Sequence, residues 1–170
     1  SYLRPTQNYV IKNSRFENCY SSKEGGALYI QSSGKNGNVK IENTTFKNNY
    51  VLAKGNYEIK GGGAVMIKQV FKVEFKDVKF INNSANRGGA VSSWRLNGDF
   101  NNYAKTFDNC IFENNTATEF GGAIYNFLDK KETDTKDNNL IIKNSNFTNN
   151  KAEKGSAIYS NMSFRLYNVR

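Results

Sequence analysis

The chain has 170 residues, a formal net charge of +9, two cysteines, one proline and no histidine. Without histidine, His-based catalytic triads, His general bases and His metal ligands are excluded, and two cysteines are too few for a Cys-rich zinc site. No apolar run approaches the roughly 18 residues that a membrane-spanning helix needs, so no transmembrane segment is expected in this piece.

The positive charge comes mostly from lysine, and the basic residues are mixed with acids rather than gathered in a block. Proteins that read nucleic acids favour arginine for bidentate contacts with bases, so we expect no nucleic-acid partner. A solvated surface rich in lysine and asparagine is the simpler interpretation, and attraction to an anionic surface is the alternative.

Along the chain, one sequence pattern recurs five times, aligned on phenylalanines that are 30, 34, 32 and 35 residues apart. In most copies two alternating apolar residues and an Asn or Asp precede the Phe, two asparagines follow it, and a Gly-Gly-Ala motif comes next. Lys105 replaces the first of the two apolar residues in the fourth copy. The repeats lie near residues 9–38, 39–72, 73–104, 105–139 and 140–163, with a partial sixth at 164–170. The aligned phenylalanines are Phe16, Phe46, Phe80, Phe112 and Phe147.

This pattern predicts an all-β protein, because apolar residues alternate as in strands while Asn and Gly mark turns at fixed offsets. One unit of this length cannot bury its own apolar face, so neighbouring units must stack. We therefore expect a single parallel β-helix over 1–170, with about five rungs and a truncated sixth. Because the last segment stops before its Phe, the natural polypeptide is expected to continue at both ends.

Stacking predicts a role for each repeated position. The phenylalanines would form an internal aromatic stack, and one Gly of each Gly-Gly-Ala motif would adopt a positive φ. Three residues before each Phe, an inward-facing ladder of side-chain amides is expected at a turn. Its members are Asn13, Asn43, Asp77, Asn109 and Asn144.

The residues four positions before each Phe alternate in charge, which favours in-register stacking because opposite charges on adjacent strands attract. They are Lys12, Glu42, Lys76, Asp108 and Lys143. The two cysteines fall three rungs apart, roughly 14 Å along the axis, so no disulfide between Cys19 and Cys110 is expected.

The combination of G-G-A-[ILV] with F-x-x-N resembles the repeats of chlamydial polymorphic outer membrane proteins and of adhesin-like surface proteins from methanogenic archaea and protists. Four F-x-x-N copies are intact, while Cys19 replaces the last Asn of the first copy and Ser156 replaces a Gly of the fifth. The resemblance implies a right-handed β-helix that is exported, displayed at a cell surface and often adhesive, and it does not imply an enzyme.

Two long loops, 94–104 and 127–139, leave consecutive repeats from the same edge and are the candidate partner surface. Aromatic residues there offer rigid contact area, and lysines would attract an acidic partner such as an anionic glycan. The rival interpretation is that the only tryptophan folds back and is buried. The candidate residues are Trp94, Arg95, Tyr103, Lys130 and Lys131.

A second surface hypothesis concerns residues that follow the small-residue motif and point away from the core. As an exposed strip they could stack on sugar rings, whereas the simpler interpretation is that they shield the sheet backbone. They are Tyr29, Met66, Ser92, Tyr125 and Tyr159.

The function predicted first is a non-catalytic structural or adhesive segment of a large extracellular surface protein. Its partners would be the rest of its own chain and a host or matrix glycan or protein, or further copies of itself. A carbohydrate-active β-helix and a filament-forming appendage are the alternatives. Asp129, Asp134 and Asp137 fit no EF-hand spacing, and neither a metal nor a cofactor is expected.

Five N-x-S/T sequons are candidate N-glycosylation sites, which requires that their asparagines face solvent. They are Asn43, Asn82, Asn114, Asn146 and Asn161.

Overall fold

A computed structural model describes residues 1–5, 7–32, 37–52, 61–70, 72–96, 104–129 and 140–170. Within these ranges the chain forms strands, and no helix is found there. The strands, in chain order, are β1 (Tyr2–Leu3), β2 (Tyr9–Lys12), β3 (Arg15–Glu17), β4 (Tyr20–Ser21), β5 (Leu28–Gln31), β6 (Asn38–Glu42), β7 (Thr45–Lys47), β8 (Tyr50–Val51), β9 (Val65–Lys68), β10 (Lys72–Lys76), β11 (Lys79–Ile81), β12 (Ser84–Arg87), β13 (Val91–Leu96), β14 (Ala104–Asp108), β15 (Ile111–Glu113), β16 (Thr116–Phe120), β17 (Ile124–Asp129), β18 (Leu140–Lys143), β19 (Asn146–Thr148), β20 (Ile158–Ser160) and β21 (Phe164–Tyr167).

The strands form four parallel sheets, and each sheet takes one strand from each successive repeat. Sheet I contains β2, β6, β10, β14, β18 and β21, and sheet II contains β3, β7, β11, β15 and β19. Sheet III contains β4, β8, β12 and β16, and sheet IV contains β1, β5, β9, β13, β17 and β20. This arrangement confirms the predicted parallel β-helix.

Four turns contribute a strand to all four sheets, which is one fewer than the five complete rungs expected. In the fifth turn, two isolated bridges replace the sheet III strand, joining Lys151 to Thr116 and Lys154 to Phe120. Strand β21 opens the sixth turn against β18.

The core is built around the predicted phenylalanine column. Neighbouring rings of Phe16, Phe46, Phe80, Phe112 and Phe147 are stacked with centroids 4.5–5.3 Å apart and planes within 8° of parallel. Phe46, Phe80 and Phe112 are fully buried. The internal aromatic stack is therefore confirmed. Lys105 is an exception to this apolar interior, because it lies in register between Val73 and Leu140 and is only 4% exposed.

The turns are made by residues in the left-handed region of backbone space, which Asn and Gly tolerate best. The first glycine of every Gly-Gly-Ala motif has φ between 60° and 70°, as predicted. Asparagines two positions after each Phe have φ between 52° and 56°. The residues three positions before each Phe also have positive φ, and Asn168 repeats this conformation in the sixth turn.

The amide ladder expected three positions before each Phe is wrong in its inward placement. All five of those side chains are exposed, because the positive-φ turn directs them to solvent. Part of a ladder forms on this outer edge, where Asn43 Nδ2 donates to Asn13 Oδ1 at 2.8 Å and Asn109 Nδ2 donates to Asp77 Oδ1 at 2.6 Å.

The buried ladder lies instead three positions after each Phe. Asn49, Asn83 and Asn115 are completely buried, and the Nδ2 of each donates to the Oδ1 of the next Asn at 3.0 Å, ending at Asn150. Each Nδ2 also donates to the carbonyl of the Phe one turn below. The Oδ1 atoms of Asn83, Asn115 and Asn150 each accept the backbone N–H of the ladder asparagine on the turn below. The amides of F-x-x-N therefore join neighbouring turns inside the core.

The second glycine of the motif is required by close approach between turns. A Cβ at Gly63 would lie 2.1 Å from the carbonyl oxygen of Gly89, and a Cβ at Gly122 would lie 2.0 Å from that of Ser156. At the equivalent position of the next repeat, Ser156 carries a side chain and is exposed.

The alternating charges pair in register as predicted. Lys12 Nζ lies 2.7 Å from Glu42 Oε2, and Lys143 Nζ lies 3.2 Å from Asp108 Oδ2. Hydrogen bonds from Lys12 and Lys40 lower the pKa of Glu42 to about 2. These pairs are largely exposed and therefore contribute more to register than to stability.

Candidate functional site

The outer face of sheet IV does not form the exposed strip that the sequence suggested. Met66 and Ser92 are 0% exposed and Tyr125 is 2% exposed, while Tyr29 and Tyr159 are half-buried. The backbone at Gly61 bridges Arg87 and packs against Ser92, so closely that a Cβ there would lie 2.5 Å from Ser92 Oγ. Gly61 thus covers Ser92, and the buried Met66, Ser92 and Tyr125 offer no exposed surface for a sugar ring.

A cluster of aromatic and charged side chains closes the same face farther along the axis. Arg87 Nε donates to Glu119 Oε2 at 2.8 Å, and the Arg87 guanidinium carbon lies 5.5 Å from the centroid of the Phe120 ring. Tyr125 stacks on Tyr159 with centroids 5.6 Å apart, and burial raises the pKa of Tyr125 to about 12. Because its charges are paired and its phenol stays protonated, this cluster suits packing better than catalysis.

Trp94 lies in strand β13 rather than on an exposed loop. It is 8% exposed, and Lys68 Nζ lies 4.5 Å from the centroid of its ring. Trp94 therefore offers little contact area to a partner. The backbone of Arg95 belongs to the same strand, while Tyr103, Lys130 and Lys131 lie outside the described residues. The loop surface stays a prediction.

Acids on adjacent turns are one arrangement that could cleave a glycosidic bond. In the described strands, the acids that have a partner in register face a basic, neutral or apolar residue, such as Glu74 opposite Lys40 and Thr106. No cluster of three or more potential metal ligands occurs in the part of the chain that the structure describes. Asp134 and Asp137 fall outside that part.

The predicted sequon asparagines all face solvent: Asn43, Asn82, Asn114, Asn146 and Asn161 are exposed. The two most regular sequons, at Asn82 and Asn114, lie on neighbouring turns with their hydroxyl residues Ser84 and Thr116 in register. Attachment of sugar at these positions stays a prediction.

The cysteines are unbonded, as expected from their separation. Cys110 is 1% exposed, and burial raises its pKa to about 12, so it is an inert thiol in the core. A search for helices long and apolar enough to cross a membrane found none in the described ranges.

Comparison with known proteins identifies the repeats. The family described as the Chlamydia polymorphic membrane protein (Chlamydia_PMP) repeat matches at residues 77–93, 109–126 and 144–161. Each match begins at the positive-φ turn before a phenylalanine and runs through a Gly-Gly-Ala or Gly-Ser-Ala motif.

The chain is also similar to a full-length protein. It is 30% identical over 199 aligned residues to Probable autotransporter YfaL of Escherichia coli (strain K12), an alignment that covers 92% of this chain and 15% of that protein. The chain therefore spans only a small part of the length of this relative. No solved structure matched the chain. With its phenylalanine stack and its buried asparagine ladder, the chain contains three copies that match the repeat of the chlamydial polymorphic membrane protein type.

Proposed function

We propose that this chain is a non-catalytic stretch of the exported region of a large cell-surface protein, in which stacked repeats hold adhesive surfaces away from the cell. The observation that carries the proposal is the continuous pairing of every sheet from turn to turn. Each turn adds about 4.8 Å of length, so such repeats make an extended, rigid spacer.

Similarity to a protein named as an autotransporter supports export, since the matched region covers nearly all of this chain. The surface is polar and carries ion pairs along sheet I, such as Lys12 with Glu42, which suits exposure to water.

The non-catalytic part of the proposal is supported by the register of the acids. Retaining and inverting glycosidases need two carboxyl groups about 5–9.5 Å apart, and adjacent turns would supply that spacing. The described strands place no acid beside another acid in register. A polysaccharide lyase or hydrolase therefore has less support than a scaffold.

Antibodies raised against this chain test the proposal on intact cells of the organism that makes it. We expect labelling without permeabilisation, and loss of the label when external protease is added. Labelling that appears only after the cells are permeabilised would contradict export to the surface.

A further inference from the structure

One inner corner of the solenoid, where a strand of sheet IV ends and the next strand of sheet I begins, changes from apolar to polar along the axis. At the end of the second turn this corner holds Ile67, Val70 and Val73, which are at most 1% exposed. One turn later, Ser93 lies in register with Ile67, and Lys105 lies in register with Val73. The same corner therefore replaces hydrocarbon by a hydroxyl and an ammonium group.

Asn126 continues this polar column, in register with Ser93 on one side and with Ser160 on the other. Its side chain is 1% exposed, and its Nδ2 donates to Ser160 Oγ at 3.1 Å. Because Ser160 Oγ gives its own hydrogen to the carbonyl of Met162, it must accept from Asn126, which fixes the orientation of the amide. The Oδ1 atom of Asn126 is then a buried acceptor without a hydrogen-bond partner among the described residues.

Such an acceptor calls for a donor from outside the described side chains. Burying a polar atom without a hydrogen bond destabilises a fold, and polar atoms in protein interiors are therefore paired with the protein or with water. Ser93 and Lys105 are each 4% exposed, whereas Ile67 and Val73 are 1% and 0% exposed. The polar part of the corner thus keeps a small surface that water can touch, beside the acceptor of Asn126.

The chemistry of these groups selects the occupant. An anion would be repelled by the Asn126 acceptor, and an apolar molecule would leave that acceptor unpaired. A metal cation is disfavoured by the positive charge of Lys105 at the same corner. Water both donates and accepts, so it can donate to Asn126 and accept from the hydroxyl of Ser93. Buried waters typically make about three hydrogen bonds to groups of this kind.

We propose that this corner is an internal hydration site, in which a water molecule donates to Asn126 Oδ1 and accepts from the hydroxyl of Ser93. The water completes the hydrogen bonds of the buried amide and hydrates the corner at which Lys105 lies. It is therefore a structural part of the third and fourth turns. This inference goes beyond the proposed function and does not depend on it, since it concerns the interior of the solenoid.

A high-resolution crystal structure of the purified chain, grown with bromide in place of chloride, tests this inference. We expect density for one water within hydrogen-bond distance of Asn126 Oδ1 and Ser93 Oγ, without an anomalous signal from bromide. An anomalous peak would mean that the site holds an anion, and a protein donor bonded to Asn126 Oδ1 would mean that no ligand is needed. Either result, or the absence of any density there, would overturn the inference.

Variants then show whether the water depends on the polar column. Ser93→Ile combined with Asn126→Ile continues the isoleucine column of the earlier turns, so the water should be lost. Thr44→Val is the control, because it removes a buried hydroxyl that donates to a backbone carbonyl elsewhere in the core, and it should leave the water in place. A water retained in the isoleucine variant would contradict the site. If that variant does not fold, the structure of the native chain decides.

Discussion

Asn49 donates its side-chain amide to Oδ1 of Asn83 at 3.0 Å, and both residues are completely buried. The same Oδ1 accepts the backbone N–H of Asn49, and Asn83 in turn donates to the carbonyl of Phe46. The Asn83 side chain thus satisfies polar groups on the turn below and, through its bond to Asn115 Oδ1, on the turn above. This explains why asparagine and phenylalanine recur together at a spacing of three.

Replacing Asn83 by leucine should destabilise the fold strongly. The substitution keeps the volume but leaves the backbone N–H of Asn49 and one hydrogen of its side-chain amide without acceptors, and it removes the side-chain donor from the Phe46 carbonyl. Each buried unsatisfied group costs about 1–3 kcal/mol, so we expect a loss of about 3 kcal/mol or more in denaturant unfolding. Asn82→Gly is the control, because Asn82 is exposed with a positive φ that glycine also adopts. A similar loss in both variants would count against the ladder.

Removing a ring from the aromatic stack should also be costly. Phe80 is fully buried between Phe46 and Phe112, so Phe80→Ala opens a cavity and should lower the free energy of unfolding by about 3–5 kcal/mol. Phe164→Ala provides a comparison at a 46% exposed site and should cost much less. Chemical denaturation of both variants decides, and equal tolerance would mean that Phe80 is not in the core.

Gly122→Ala should disrupt contact between the fourth and fifth turns. The new Cβ would lie 2.0 Å from the carbonyl oxygen of Ser156, so the two turns must separate. We expect destabilisation of about 3 kcal/mol or more by thermal or denaturant unfolding. Ser156→Ala, at the equivalent position of the next repeat, should change stability by no more than about 0.5 kcal/mol. A Gly122→Ala variant whose stability is unchanged would contradict the close approach of the fourth and fifth turns.

The cysteines should differ in reactivity. Because burial raises the pKa of Cys110 to about 12, iodoacetamide at pH 8 should modify half-buried Cys19 first, as peptide mass spectrometry would show. The raised pKa also predicts that the stability of the fold depends on pH, since the pKa of a cysteine in the unfolded chain is about 8.5. The neutral Cys110 thiol favours the folded state below that pH, and this contribution is lost as the pH rises towards 12. Faster labelling of Cys110 would contradict its burial.

The fold could be predicted from the sequence because stacking imposes the same residue type on the same position of every turn. The phenylalanines, the glycines and the alternating charges each produced such a column. The buried ladder was harder to place, because asparagines at several offsets share one residue type. Only the backbone conformation separates the exposed Asn82 from the buried Asn83.

The surface was less predictable for a related reason. Strand alternation shows that Ser92 points away from the core, but its burial depends on Gly61, which belongs to another repeat. Trp94 also occupies an outward position and is buried, with Lys68 of the preceding repeat over its ring.

The core, the ladder and the surface all depend on the in-register stacking of turns, and cysteine cross-linking tests this stacking most directly. In a background in which Cys19 and Cys110 are serine, Ser84→Cys with Thr116→Cys places two thiols on adjacent strands about 4.8 Å apart, within the roughly 7 Å that a disulfide spans. Tyr50→Cys with Thr116→Cys places them two turns apart, about 9.6 Å, which is beyond that reach. Under mild oxidation, mass spectrometry should detect an intramolecular disulfide in the 84/116 pair and not in the 50/116 pair. The opposite result, or equal bridging in both, would contradict the stacked solenoid.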